Sequence, residues 1–152
     1  MIHYRNDVRR SGVDGRALVA TAKRLLAAAG ERRSSLSLTL VDDAAIRALN
    51  REHRGKDKAT DVLSFSLVEG NGIPHKGERL LGDVVISVDT AKRQAAEYDA
   101  TLQDELYRLL IHGILHVLGH DHERAVERIA MVAEERRLAG AIDLPWPYEP
   151  AP

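Results

Sequence analysis

The 152 residues are predicted to form an α+β domain, in which a small mixed sheet of about four strands packs with helices. Three observations lead there. Short stretches alternating with period two are interleaved with helical spacing through the first half of the chain. From Asp89 onward the pattern is helical. Within that half a strongly apolar helix ends in HGILHVLGHDH, residues 112 to 122, which gathers four of the seven histidines into one place.

The elements follow in order. An opening IHY forms a short strand. Helical spacing runs from Val13 or Asp14 to Ala29, with Leu18, Ala22, Leu25, Leu26 and Ala29 on one face and Gly30 as a stop. SLSLTLV, residues 35 to 41, alternates and so reads as a half-buried strand. Asp42 and Asp43 suit the start of a second helix carrying Ile46 and Leu49. DVLSFSL and LGDVVIS are two further strands, separated by EGNGIPHKGER, whose Gly and Pro make it a long loop. TLQDELYRLLIHGILHVLG is apolar at Leu102, Leu106, Leu109, Leu110, Ile114, Leu115 and Leu118, which predicts a largely buried helix ending near Gly119. RIAMVAEERR is helical again, and LPWPYEPAP, residues 144 to 152, is a Pro-rich tail expected to lie against the surface or fray. No repeat, low-complexity tract or internal linker divides the chain, so residues 1–152 are expected to be a single domain.

Composition narrows the function. The absence of cysteine excludes thiolate metal sites, thiol nucleophiles and disulfides. Apolar runs such as Leu25 to Ala29 are far short of a membrane span, and MIHYRNDVRRSG carries charge where a signal peptide is apolar. A cytoplasmic location is the expectation. The net charge of -1 hides a polarity: residues 1 to 60 hold thirteen Lys and Arg against seven Asp and Glu, and the remainder carries the opposite excess. A basic half can attract a polyanion such as nucleic acid, although solvated helix faces would give the same counts.

The histidines sit on the buried helix. His112 and His116 are four apart, so they project from the same face about 6 Å apart along the axis, and both imidazoles can reach one cation. Gly119 lets the chain turn back, and His122 can then supply a third nitrogen. Three neutral nitrogens with no fourth protein ligand describe a catalytic rather than a structural zinc site, although nickel, cobalt, manganese or iron accept such ligands too. Asp121 is placed to orient a ligand imidazole or to manage a proton. His120, within the turn, is left out of the set. Gly113 in mid-helix costs about 1 kcal/mol relative to Ala, and the expectation is that it clears space beside the metal.

The same ligand spacing occurs in zinc peptidases of the HExxHxxGxxH type, but their general base follows the first histidine, and here that position is Gly113. Met131, inside a helical segment, offers no Met-turn. A second segment, HRGKDKATDVLSFSL, sets Arg54, Lys56 and Lys58 in a turn leading into an apolar strand with Val62, Leu63 and Phe65. Alone this is a solvated turn. Beside an open metal site, a guanidinium suits the charge of a phosphodiester transition state.

Two blocks, RGKDKATDVLSF at 54 to 65 and HGILHVLGHDH at 112 to 122, with LLGDVVIS at 80 to 87 between them, resemble the YbeY family of bacterial endoribonucleases, the rRNA maturation factors. The family pattern H-G-x-L-H-L-x-G-x-D-H falls on His112, Gly113, Leu115, His116, Gly119, Asp121 and His122, with Val117 where leucine is usual. The resemblance implies that His112, His116 and His122 hold one zinc ion and that Arg54 faces it. It also implies a single-strand-directed RNase acting at the 3′ end of 16S rRNA and in ribosome quality control, with rRNA, the small subunit and ribosomal proteins or assembly factors as partners. Lys56 and Lys58 are the expected guides for the RNA backbone. Ser66 stands where the family often has proline, and the loop 69 to 79 is longer than usual. A non-catalytic assembly factor with a structural metal is the alternative from another class.

Overall fold

A computed structural model describes residues 1–68, 79–121 and 123–146. Its order is β1 (Ile2–Asn6), α1 (Gly15–Ala28), β2 (Ser34–Val41), α2 (Asp43–Arg54), β3 (Val62–Ser66), β4 (Arg79–Ser87), α3 (Val88–Glu97), α4 (Leu102–Val117) and α5 (Ala125–Ala141). The expected α+β class with a four-stranded mixed sheet is what forms. The strands run in the order β1-β2-β4-β3, with β1, β2 and β4 parallel and β3 antiparallel to β4.

Local chemistry sets the helix starts. The Asp14 carboxylate accepts from the Ala17 amide at 3.0 Å, Asp42 from Ala45 at 2.9 Å and Thr101 Oγ1 from Asp104 at 3.1 Å, each supplying an acceptor to an amide that the first turn leaves orphaned. Asp43, one residue into α2, ties that helix to the next: it accepts from Ser87 Oγ at 2.6 Å, Thr90 Oγ1 at 2.7 Å and Arg93 Nη2 at 2.8 Å. Partial burial alone would push its carboxyl upward, but these three donors hold it below the ordinary aspartate value.

The alternation of β2 sorts the two faces of the sheet. Leu36, Leu38 and Leu40 join Val84 and Ile86 in the main core, against Leu18 and Leu25 of α1 and Leu109, Leu110 and Ile114 of α4. Each such fully buried side chain contributes about 1.5–3 kcal/mol through lost water contact. Val41, Leu63 and Val85 pack with Ile46 of α2 in a second, smaller cluster. Thus α4 and α2 lie on opposite faces, and the edge strand β3 runs between them.

Gly113 has a different use from the one its position suggested. A Cβ there would lie 2.7 and 3.0 Å from the two Val84 methyls and 3.4 Å from a Val62 methyl. It faces the sheet and lets the backbone of α4 rest against it. The Pro-rich tail is not all surface: Leu144 is buried and Trp146 packs against the core, while residues 147–152 lie outside the described residues. Of the expected loop, residues 69–78 are likewise outside them, and Arg79 already belongs to β4.

Candidate active site

Helix α4 is apolar on most of its circumference, and the side chains that break the pattern are informative. His112 and His116, one turn apart and both half-buried, bring their Nε2 atoms to 3.1 Å, with ring centroids 4.5 Å apart and planes inclined by 73°. Two imidazole nitrogens on one tetrahedral zinc, each at about 2.0–2.1 Å, are separated by about 3.3 Å. The pair is therefore spaced as two ligands of one ion would be. After Leu118, Gly119 takes φ 98°, and the His120 amide donates to Leu115 O at 2.9 Å, closing the helix with a turn. Asp121 is half-buried in the chain leaving that turn, and His122 lies outside the described residues. Among the described residues no group of three or more His, Asp or Glu converges on a common point, so the histidine pair is the part of the expected set that can be placed.

The basic turn is held from beneath. Gly55 ends α2 with φ 68°, a left-handed conformation that glycine adopts at little cost. Asn50, 3% exposed, donates through Nδ2 to Lys58 O at 2.9 Å and so pins the far side of the turn. Asp57 is clasped by Arg47 at 2.9 and 3.2 Å, and that guanidinium holds its carboxyl below the usual range. Its negative charge is thereby answered outside the cleft, while Lys56 and Lys58 line it. Arg54 donates from Nη2 to Ser64 O at 2.8 Å and lies 5.8 Å from the centroid of Phe65, whose ring also meets His53 edge-on at 5.1 Å.

These two constructions face each other. A cleft of about 410 Å³ is lined by His112 and His116 from α4, by Arg54, Lys56 and Lys58 from the turn after α2, and by Asn50, Thr60, Asp61 and β3 residues 62–64. Asp121 is not among its lining residues.

Several polar groups around the cleft escaped the sequence reading. Asp61 accepts from the Val62 amide at 2.7 Å and from Gln94 Nε2 at 3.2 Å, with Arg108 Nη2 at 3.9 Å. Glu105 is fully buried; burial pushes its carboxyl up, against the opposing pull of Arg108, which donates to it at 3.0 and 3.1 Å. Ser66, already marked in the sequence as replacing a proline, has a role that was not foreseen: its Oγ donates to Val117 O at 2.8 Å, at the end of α4. Glu135 of α5 places Oε2 3.5 Å from His112 Nδ1. The spacing Glu105, Arg108, His112, His116 follows one helical stripe, a signal present in the sequence.

A family model described as Endoribonuclease YbeY matches residues 3–143. The chain is similar to the endoribonuclease YbeY of Syntrophotalea carbinolica, 44% identical over 137 residues covering 90% of each chain. It is similar to that of Moorella thermoacetica, 46% identical over 140 residues, 86% of this chain and 90% of the relative. With the endoribonuclease YbeY of Myxococcus xanthus the identity is 61% over 106 residues, 69% of this chain but 35% of that longer protein. In fold it is similar to the solution structure of a Thermotoga maritima protein, with a TM-score of 0.59 and 24% identity, covering 94% of this chain and 92% of that one.

Proposed function

The chain belongs to the YbeY family of endoribonucleases, and on that premise we propose that it hydrolyses phosphodiester bonds of single-stranded RNA with the help of one zinc ion. The observation that carries this reading is the facing of an imidazole pair and a guanidinium across one cleft, with two lysines on its rim. His112 and His116 would hold the ion, with His122 as third ligand. Bound there, zinc supplies Lewis acidity, polarising a phosphoryl oxygen and acidifying water.

The remaining work falls to side chains. Arg54 answers charge developing on nonbridging oxygens, and its bond to Ser64 O orients the guanidinium before substrate arrives. Lys56 and Lys58 attract the phosphate backbone and position it without reading sequence. The single Phe of the chain, Phe65, is taken up by contacts with Arg54 and His53, so bases find little to stack upon and selectivity among them should be weak. Peptide hydrolysis is disfavoured because the residue after the first histidine is a glycine packed on Val84, where the peptidase base would be needed. Asp121, half-buried in the turn that follows the histidine pair, would handle a proton or orient a ligand imidazole there.

The substrate we propose is rRNA of the small subunit, at the 3′ end of the 16S species, with a part in ribosome quality control and a cytoplasmic location; family membership supports this. Among the described residues no helix is long and apolar enough to cross a membrane. Purified protein, with and without chelator, and an Arg54→Ala variant should be given single-stranded RNA. The chelator is expected to abolish cleavage and the variant to slow it by about 10²–10³-fold, and cleavage undiminished by both would refute the assignment.

A further inference from the structure

The inward stripe of α5 is Met131, Glu135, Leu138 and Ala139, spaced as one helical face and buried to within 9% exposure. Three of these are what a core stripe requires. Glu135 is not: a carboxylate there gives up hydration that only a partner can replace, and an aliphatic residue would pack at no such cost. The partner is His112, whose Nδ1 lies 3.5 Å from Glu135 Oε2 while its Nε2 lies 3.1 Å from His116 Nε2. The two nitrogens of one ring thus face different neighbours, a carboxylate on one side and the second imidazole on the other.

We propose that Glu135 is a positioning residue for the metal centre: it accepts the Nδ1 proton of His112, selects the tautomer with a lone pair on Nε2, and fixes the ring toward the ion. This rests on the metal reading above. A ligating imidazole whose other nitrogen is held by a carboxylate is a better-oriented and more basic ligand, and loss of such a support weakens metal binding by roughly 10–100-fold. It also gives α5 a part in the site although it contributes no group to the cleft lining among the described residues.

The test uses the full chain stripped of metal and the variants Glu135→Leu, Glu135→Gln and Glu135→Asp. Zinc affinity is read by competition with a chromophoric chelator, the His112 tautomer by histidine side-chain nitrogen NMR of the metal-free protein, and folding by thermal unfolding of the same samples. The wild type is expected to show the Nδ1-protonated ring. Glu135→Leu should bind zinc roughly 10–100-fold more weakly and lose that tautomer while its unfolding temperature holds or rises. Glu135→Gln, which keeps an acceptor, should fall between, and Glu135→Asp should retain most of the tautomer preference. A purely structural role would give the reverse, lowered unfolding temperature with zinc affinity and tautomer unchanged, and would overturn the proposal. Wild-type protein that takes up no zinc would refute the metal reading. That outcome overturns the positioning role with it, whereas zinc uptake by the wild type with unaltered affinity and tautomer in Glu135→Leu overturns the positioning role alone.

Discussion

Replacing Gly113 by alanine tests how closely α4 must rest on the sheet. In an unobstructed helix interior the change stabilises by about 1 kcal/mol, because glycine gives up more backbone freedom than alanine. Here the new methyl would stand 2.7 Å from one Val84 methyl, and ordinary contact begins at 3.4 Å, so helix or strand must move by the difference. Val84 is fully buried on the central strand β4 and has nowhere to withdraw. Overpacking of this kind costs about 1–3 kcal/mol, leaving a net destabilisation of about 0–2 kcal/mol. For a chain of this size that lowers the unfolding temperature by about 2–4 °C for each kcal/mol. The same displacement carries His112 and His116 with it, so RNA cleavage should fall further than stability does. Thermal and urea unfolding of Gly113→Ala, Val84→Ala and the pair measure the effect. In the Val84→Ala background, where the obstructing methyls are gone, Gly113→Ala should revert to its intrinsic stabilising sign, giving a coupling of about 1 kcal/mol or more. A Gly113→Ala protein more stable than wild type would refute the close-approach argument.

Other outcomes follow from the same geometry. Arg54→Ala should lose about 10²–10³-fold in kcat, and Arg54→Lys should not restore it, since a lysine cannot bond Ser64 O and present a planar fork at once. Lys56→Ala and Lys58→Ala should each raise KM for single-stranded RNA and flatten the dependence of log binding on log salt by about 0.7, read by titration between low and moderate salt. Asp43→Asn should cost about 1–2 kcal/mol in neutral urea unfolding, by weakening the bonds from Ser87, Thr90 and Arg93. Because the folded pKa of Asp43 lies below the unfolded one, its stabilisation is complete above about pH 4 and is lost as pH falls through the folded value. The variant should therefore show a shallower acid limb, and an unchanged pH profile would remove Asp43 from the account.

Much of the fold was legible because local and global requirements agreed. The Asp14 and Asp42 caps sit beside apolar stripes of the right period, and Leu36, Leu38 and Leu40 alternate as a one-sided strand must. Helix α5 was legible as a helix but not in its orientation. Val126 and Ile129 are 79% and 71% exposed while Glu135 is buried beside Met131 and Leu138, so apolar residues lie on both sides of the helix and their spacing singles out no inward face. That ambiguity hid Glu135, which in the run EERR reads as one more solvated charge. The histidine pair was visible through its spacing alone. Arg54 opposite it was reached only through the family resemblance, and Asn50 and Asp61 were not reached at all: their positions depend on β3 lying antiparallel beside β4, a pairing between distant segments that no local period encodes. Gly113 shows the limit in another form, since the sequence marks an unusual residue while only the packed strand reveals which side needs the room.

The bond from Arg54 to Ser64 has a second consequence. Ser87 and Leu67 amides donate to Asp61 O and Leu81 O at the two ends of the β3–β4 ladder, which turns the Ser64 carbonyl outward, onto the open rim of the sheet. Unsatisfied acceptors on a rim strand invite another chain to add itself there. The guanidinium assigned to phosphate chemistry thus also blocks an adhesive edge, so variants lacking it are expected to self-associate at high concentration, and inactivity alone would understate what that side chain does for the protein.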